Sequence, residues 1–308
     1  MEKLKSGCSA LVAVLAAAVS ASAQQALPAS EHVVGVGSLT LVVSDVERAR
    51  AFYRDTLGLT LQEGSAGVAG GALSIAFVAP ADADRRAVTR GLQDPGAARV
   101  ILTVRDLDAA LIQARFSGAT VLSEGDAAVP LVDEPGVSRA VLIKDPDGFF
   151  VQIMQRAVAV VGGSSGTEVP GSAGNVIGLT VGLTVDDMDR TMRVFRDALG
   201  FDLRRDPEDN DDARLAMMGV FTAFYRRVIA TVPGTALAIE LIEVHGLSRR
   251  LITARPQDPG TAMLGLTVAD VNRAASALTA ANATVVAADG VPAIVATPDR
   301  FFLALGRN

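Results

Sequence analysis

The chain has few of the side chains on which most catalytic and metal chemistry depends. Its 308 residues include one cysteine, Cys8, two histidines, His32 and His245, and no tryptophan. A single cysteine excludes an internal disulfide, a thiolate zinc cluster and a CxxC redox pair. Two histidines leave little for imidazole ligands or imidazole bases.

Positive charge is also scarce. The chain has 28 Lys and Arg against 34 Asp and Glu, for a formal net charge of −6 and a pI of about 5.0. A protein that grips the phosphate backbone needs a surplus of basic residues, so we expect no nucleic-acid partner. Half of the residues are hydrophobic. The length allows roughly two domains with real cores.

The N-terminus has the pattern of a signal peptide. Lys3 and Lys5 precede an apolar run from Ala10 to Val19, and Ala21-Ser22-Ala23 suits cleavage before Gln24. The run is shorter than the roughly 20 residues that cross a bilayer. We expect residues 1–23 to be removed, leaving a bacterial periplasmic or secreted protein that has no membrane association.

Three pairs of segments repeat in the same order along the chain. LTLVVSDVERARAFYRDTLG from Leu39 matches VGLTVDDMDRTMRVFRDALG from Val181, and QDPGAARVILTV from Gln93 matches QDPGTAMLGLTV from Gln257. DPDGFFVQI and TPDRFFLAL close the two halves. The repeats predict two homologous domains, 34–156 and 176–307, joined by a Gly/Ser-rich linker over 157–175.

Each half contains the same strand-then-helix pattern twice. Alternating apolar residues predict the strands, and apolar stripes predict helices after Ser44 and over 106–116, 187–199 and 270–281. Ser44 and Glu47 have the spacing of a capping box. Gly58, Gly118 and Asn282 are suited to the left-handed residue that ends a helix.

These segments resemble the vicinal oxygen chelate superfamily, which includes glyoxalase I, extradiol dioxygenases and bleomycin resistance proteins. The resemblance rests on LVVSDVERARAFYRDTLG, LTVRDLDAAL and DPDGFFVQI, with divergent copies in the second half. It implies an α+β fold of two tandem domains. Each domain would consist of paired βαβββ modules that form a curved, cup-shaped mixed sheet, with helices on the convex side and ligand on the concave side.

The resemblance also implies metal ligands at fixed strand positions, and here those positions hold neither histidine nor carboxylate. They are occupied by Ser38, Thr180, Arg99, Met263, Gln152 and Ala304. Only Glu240 matches a place where some members have a further ligand. Since a catalytic metal needs about three protein ligands, we expect no cofactor and disfavour a divalent metal.

Strand parity places Ser38, Thr40, Arg99 and Gln152 together in the first cup. Apolar walls with a few polar groups are typical of small-molecule pockets. Arg99 would clamp an anionic oxygen of the ligand or, alternatively, pair with an acid from the other domain.

The second cup is predicted to contain Thr180, Gly182, Gly265 and Glu240. An apolar cup would raise the pKa of Glu240 and suit it to general acid or base catalysis. The alternative is that Glu240 pairs with Arg226, Arg227 or a backbone amide. The acidic run Asp206 to Asp212 is interpreted as a solvated loop.

Three functions are compatible with this pattern. The first is metal-independent binding of a small organic molecule, anionic or aromatic, by Ser38, Thr40, Arg99, Gln152 and Thr180. The second is a lyase, isomerase or glyoxalase-like enzyme that uses Glu240 as its proton shuttle. The third is a metal enzyme with atypical ligands such as Glu240, Glu243 and His245. The oligomeric state and the identity of the ligand stay open.

Overall fold

Short strands dominate the structure. The computed structural model describes residues 33–62, 65–69, 71–80, 86–131, 136–156, 173–205, 211–287 and 292–307. The predicted signal peptide, His32 and most of the linker lie outside these residues. The strands are β1 Val33–Val42, β2 Thr60–Gln62, β3 Ser65–Gly67, β4 Ser74–Val78, β5 Ala98–Val104, β6 Thr120–Val121, β7 Val129–Pro130, β8 Val137–Lys144, β9 Phe150–Arg156, β10 Val176–Thr184, β11 Asp202–Arg205, β12 Phe224–Thr231, β13 Ala238–His245, β14 Ala262–Val268, β15 Thr284–Ala287, β16 Ala293–Ala296 and β17 Phe302–Gly306.

Four of the five described α-helices follow the first strand of a strand–helix unit, as predicted. The helices are α1 Val46–Ala51, α2 Leu107–Phe116, α3 Met188–Arg193, α4 Asp212–Met218 and α5 Val271–Ala280. A π-helical turn extends both α1 and α3. Gly58, Gly118 and Asn282 all have positive φ, which confirms the predicted helix stops.

The predicted N-cap of α1 is wrong by one residue. Asp45 is the N-cap, and its Oδ1 accepts a hydrogen bond from the backbone N–H of Arg48 at 3.0 Å. Ser44 instead donates through its hydroxyl to Asp147, 2.5 Å away. Both residue types cap helices well, but the carboxylate also gains from the positive end of the helix dipole.

The strands form two curved mixed sheets, which confirms the predicted fold class. The eight-stranded sheet has the order β15-β16-β17-β14-β1-β4-β3-β2, and the nine-stranded sheet has the order β11-β12-β13-β10-β5-β9-β8-β6, with β7 paired to β8. At the centre of each sheet an antiparallel pair joins a strand of the first sequence half to one of the second: β1 with β14, and β5 with β10. Each sheet therefore combines one module from each half.

One face of each sheet packs in a hydrophobic core with the helices. Each of the four central strands contributes a buried leucine to it: Leu41, Leu102, Leu183 and Leu264. Because side chains alternate along a strand, the residues next to these leucines point to the other face. The opposite faces are the two cups. No helix in the described part of the chain is long and apolar enough to cross a membrane.

Candidate functional site

The two cups differ in whether they are filled. We name the concave face of the eight-stranded sheet, with Thr40 and Met263 at its centre, the open cup. The concave face of the nine-stranded sheet, with Arg99 and Glu240 at its centre, is named the closed cup.

A buried ion pair forms the floor of the closed cup. Arg99 on β5 is fully buried, and its Nη2 donates to Glu240 Oε1 on β13 at 2.8 Å. Its Nη1 donates to Gln152 Oε1 on β9 at 2.9 Å. Of the two predicted roles of Arg99, the structure supports pairing with an acid from the other sequence half.

Gly182 on β10 makes room for this guanidinium. It lies directly opposite Arg99 in the antiparallel pair of β5 and β10. A Cβ at Gly182 would lie 2.8 Å from both Nε and Nη2 of Arg99, closer than real Cβ contacts. The glycine in this strand interior is therefore explained by the close approach of a side chain.

The carboxylate of Glu240 is held in its charged form. Burial by itself would raise its pKa, but Arg227, Arg99 and Arg214 outweigh that effect and lower the pKa to about 2. Arg227 Nε lies 3.4 Å from Glu240 Oε2, so both carboxylate oxygens face guanidinium groups. The expectation of a raised pKa is wrong, because the cup is lined with cations and is not apolar. A carboxylate with this pKa is protonated too rarely at neutral pH to serve as a general acid.

Helix α4 fills the closed cup. Leu215, Met217 and Met218 are buried and share one hydrophobic cluster with Leu142 and Ile242 of the sheet. The hydroxyl of Ser123 donates to the backbone carbonyl of Met217 at 2.5 Å, which ties the helix end to the loop after β6. This cup therefore has a protein segment where a ligand would lie.

Sequence reasoning missed α4 because its start lies within the acidic run. Asp211 is the N-cap, with its carboxylate accepting from the N–H groups of Ala213 and Arg214, while 206–210 lie outside the described residues. The signal was present in the chain: a capping Asp, three large apolar residues and then Gly219, whose φ is 65°.

The open cup contains an apolar cavity of about 530 Å³. Met263 lies at its floor, in the position that Arg99 has in the other cup. Arg255 and Gln257 supply its polar side chains. The other lining residues that the structure describes are apolar: Val42, Val78, Ala79, Pro80, Pro256, Val286, Ala287 and Ile294.

The predicted site residues do not share one cup. Ser38 and Thr40 are half-buried on β1 in the eight-stranded sheet, beside the cavity, and are not among its lining residues. Arg99 and Gln152 lie in the nine-stranded sheet. The prediction that these four residues line one cup is wrong, because the modules of one sequence half go into different sheets.

Thr180 lies in the closed cup with Glu240, as predicted. Its hydroxyl donates to the backbone carbonyl of Ala238 on the neighbouring strand. This hydrogen bond occupies the donor that a ligand would use. Gly265, which was predicted to share this cup, lies instead in the open cup, where its Cβ position is 3.2 Å from the carbonyl oxygen of Ser38.

The residues of the closed cup do not fit the metal ion that the resemblance implies. Both oxygens of Glu240 and the oxygen of Gln152 already face guanidinium groups. The buried polar atoms of Arg99 and Gln152 that lack a partner among the described residues are Nε and Nε2, which carry protons and offer no lone pair. The oxygens of Glu240 and Gln152 therefore suit the guanidinium of Arg99 and not a bound metal ion.

The alternative metal ligands are not brought together either. Glu240 and Glu243 lie on opposite faces of β13, since they are three residues apart in a strand. His245 Nε2 lies 3.3 Å from Glu243 Oε1, and Glu243 also pairs with Arg226. Within the described ranges, no three His, Cys, Asp or Glu side chains are grouped so that they could hold a metal.

Solved structures with the same architecture cover most of the chain. Glyoxalase I from Zea mays is 17% identical, with a TM-score of 0.57 over 89% of this chain and 92% of that one. A candidate dioxygenase from Bacillus subtilis is 13% identical, with a TM-score of 0.57 over 90% and 86%. At these identities the likeness shows the fold alone. No curated protein matches the sequence significantly.

Sequence profiles identify the family. Two profiles described as the Glyoxalase/Bleomycin resistance protein/Dioxygenase superfamily match residues 32–153 and 180–302. Together they account for most of the chain, one in each repeated half. The chain therefore belongs to this superfamily, the vicinal oxygen chelate superfamily, with two family domains in tandem.

Proposed function

We propose that this protein binds a small, mainly apolar organic molecule in the open cup, and that it does so without a metal ion. The observation that carries the proposal is the cavity of about 530 Å³ on the concave face of the eight-stranded sheet. Small-molecule sites have volumes of about 300–1,000 Å³ and mostly apolar walls. The proposed binding site is therefore in the eight-stranded sheet, whereas the sequence placed it around Arg99, which lies in the nine-stranded sheet.

The lining of this cavity favours an apolar ligand over a strongly charged one. Its charged lining residue, Arg255, is held by Asp258: Nε donates to Asp258 Oδ1 at 2.9 Å and Nη2 lies 2.7 Å from the same oxygen. Because the guanidinium is already paired with this buried carboxylate, it has little net charge to offer a ligand. Shape and burial of apolar surface would supply most of the affinity.

In the described part of the open cup, the positions equivalent to the charged network do not carry the side chains of an enzyme of the predicted type. Its counterparts of Arg99, Gln152 and Glu240 are Met263, Ala304 and Ala76. None of these three side chains can transfer a proton, and the single thioether of Met263 does not make a site for a divalent metal that needs about three ligands. Binding is therefore the function that this cup supports best.

We also propose that the mature protein acts outside the cytoplasm, on the basis of the signal-peptide pattern in residues 1–23. The chain predicted to remain after cleavage has no cysteine and is indifferent to an oxidising compartment. Expression of the full chain in a bacterium, followed by N-terminal sequencing of the exported protein, tests this. We expect the first residue to be Gln24.

The binding proposal is tested with N-phenyl-1-naphthylamine, a neutral dye whose emission rises in apolar surroundings. We expect saturable binding to the wild-type protein. Val286→Trp places an indole in the cavity and should weaken binding by about tenfold or more, a cost of roughly 1.4 kcal/mol or above.

Val285→Trp is the matched control. Val285 precedes Val286 on the same edge strand and is similarly exposed, but it pairs with Val295 of the core face and does not line the cavity. This variant should bind the dye like the wild type. An equal loss of dye affinity in both variants, or no saturable binding to the wild type, would contradict the proposal.

A further inference from the structure

We propose that the guanidinium of Arg99 replaces the metal ion in the closed cup, so that this cup is a metal-free brace between the two sequence halves. The inference concerns the cup that the proposed function does not use. It rests on three observations: where Arg99 lies, what surrounds it, and how the neighbouring strand accommodates it.

The side chain of Arg99 connects three strands of the nine-stranded sheet. It extends from β5 and contacts Gln152 on β9, its parallel neighbour, and Glu240 on β13, two strands away across β10. β5 and β9 belong to the first sequence half, while β10 and β13 belong to the second. The ion pair therefore joins the halves at the middle of the nine-stranded sheet.

The surroundings of Glu240 exclude a second cation. A divalent ion bound to this carboxylate would lie within a few ångströms of the guanidinium groups of Arg99 and Arg227. Like charges at such a distance repel strongly in a buried, weakly screened site. A metal could bind there only after a guanidinium had moved away.

The neighbouring strand is adapted to the guanidinium. Gly182 removes the Cβ that would collide with Arg99, whereas Thr40 lies at the equivalent place opposite Met263 in the open cup. Helix α4 then covers the pair from solvent. Arg99, Gly182 and α4 therefore occur together in the closed cup. In the open cup, Met263 and Thr40 stand at the positions of the arginine and the glycine.

The test is metal binding by the purified protein. Wild-type protein is dialysed against Zn²⁺, Ni²⁺, Mn²⁺ or Fe²⁺, its metal content is measured, and its melting temperature is compared with and without each ion. We expect no stoichiometric metal and no metal-dependent shift. Stoichiometric metal that is lost in Glu240→Gln would overturn the inference.

Arg99→His is the variant that we expect to bind a metal ion. The new imidazole would join the oxygens of Glu240 and Gln152, three donors of the kind that zinc and nickel accept. We expect a metal-dependent rise in melting temperature of about 5 °C at a metal concentration one hundred times the dissociation constant.

Met263→His is the matched control, because it introduces histidine at the same position of the open cup, where Ala76 and Ala304 offer no second ligand. It should show no such rise. A folded Arg99→His that responds to metal no more than Met263→His would refute the inference.

If Arg99→His does not fold, Arg99→Lys takes its place. It keeps a positive charge beside Glu240 and should fold without metal, like the wild type. Stoichiometric metal in Arg99→Lys would refute the inference, and metal-free protein would support it.

Discussion

The two cups are built from equivalent strands, yet one is hollow and the other is filled. Four equivalent positions differ: Arg99 against Met263, Gln152 against Ala304, Gly182 against Thr40 and Glu240 against Ala76. In the closed cup these residues form a charged network under α4. In the open cup the equivalent residues carry no charge, and one of them, Met263, lines a cavity of about 530 Å³.

On the proposed function, the two sheets of this duplicated fold have different tasks. A buried charge network is costly unless every member has a partner, so it needs a cover and a fixed geometry. A ligand cavity needs the reverse, an apolar wall that stays partly uncovered. Since the two requirements conflict, each sheet meets one of them.

The largest expected effect comes from breaking the charge network of the closed cup. Glu240→Gln leaves Arg99 and Arg227 without their shared carboxylate, and Arg99→Met leaves Glu240 with one guanidinium fewer. Glu240→Gln should lower the free energy of unfolding by about 3–5 kcal/mol, because it leaves buried guanidinium charge without its carboxylate. Arg99→Met should lower it by less, because Arg227 still faces Glu240. Urea denaturation with a linear extrapolation measures it.

The double variant Arg99→Met with Glu240→Gln separates this cause from ordinary packing loss. It removes both charges, so it should be more stable than at least one of the single variants. If the losses in unfolding free energy of the two single variants simply add in the double variant, Arg99 and Glu240 are not coupled. Dye binding to the open cup should persist in every variant that folds.

A smaller effect is expected when acid protonates the carboxylate of the closed cup. Glu240 has a pKa of about 2 in the fold against an ordinary value of 4.5. A lowered carboxyl pKa gives stability that is present above about pH 4.5 and is lost as the pH falls towards 2. The loss is on the order of 3 kcal/mol.

The comparison of wild type with the double variant isolates this carboxyl group, because all other titrations cancel in the difference. That difference in unfolding free energy should fall between pH 5 and pH 2. A difference that is constant with pH would refute the assignment. The described lining of the open cup has no carboxylate or imidazole, so dye binding should not vary between pH 5 and pH 8.

The sequence was sufficient to predict the elements and the fold class, because local signals define them. Alternating apolar residues predicted β1 and β5, and the helix stops at Gly58 and Asn282 have the expected positive φ. The side chains at the strand positions where the resembled family has its metal ligands could be read from the sequence, because the motifs that fix those positions are local.

Which two modules pair to form each sheet could not be predicted from local signals. Strands β1 and β5 have nearly the same pattern, so nothing local indicates that β1 pairs with β14 and β5 with β10. That choice sent Ser38 and Arg99 to different sheets. The prediction of a raised pKa for Glu240 was wrong because the sequence pattern did not show that Arg227, Arg99 and Arg214 converge on this carboxylate. Of these three, Arg99 alone comes from the other sequence half.

The smallest expected effect compares two glycines, one in each cup. Gly182→Ala places a Cβ 2.8 Å from the guanidinium of Arg99, so the side chain must move from its ion pair. We expect a loss of about 2 kcal/mol in unfolding free energy. At Gly265 the new Cβ would meet the carbonyl oxygen of Ser38 at 3.2 Å, which a slight shift relieves, so Gly265→Ala should cost less than about 1 kcal/mol. The cost of Gly182→Ala should shrink in an Arg99→Met background, and an unchanged cost there would show that the glycine serves the backbone and not the arginine.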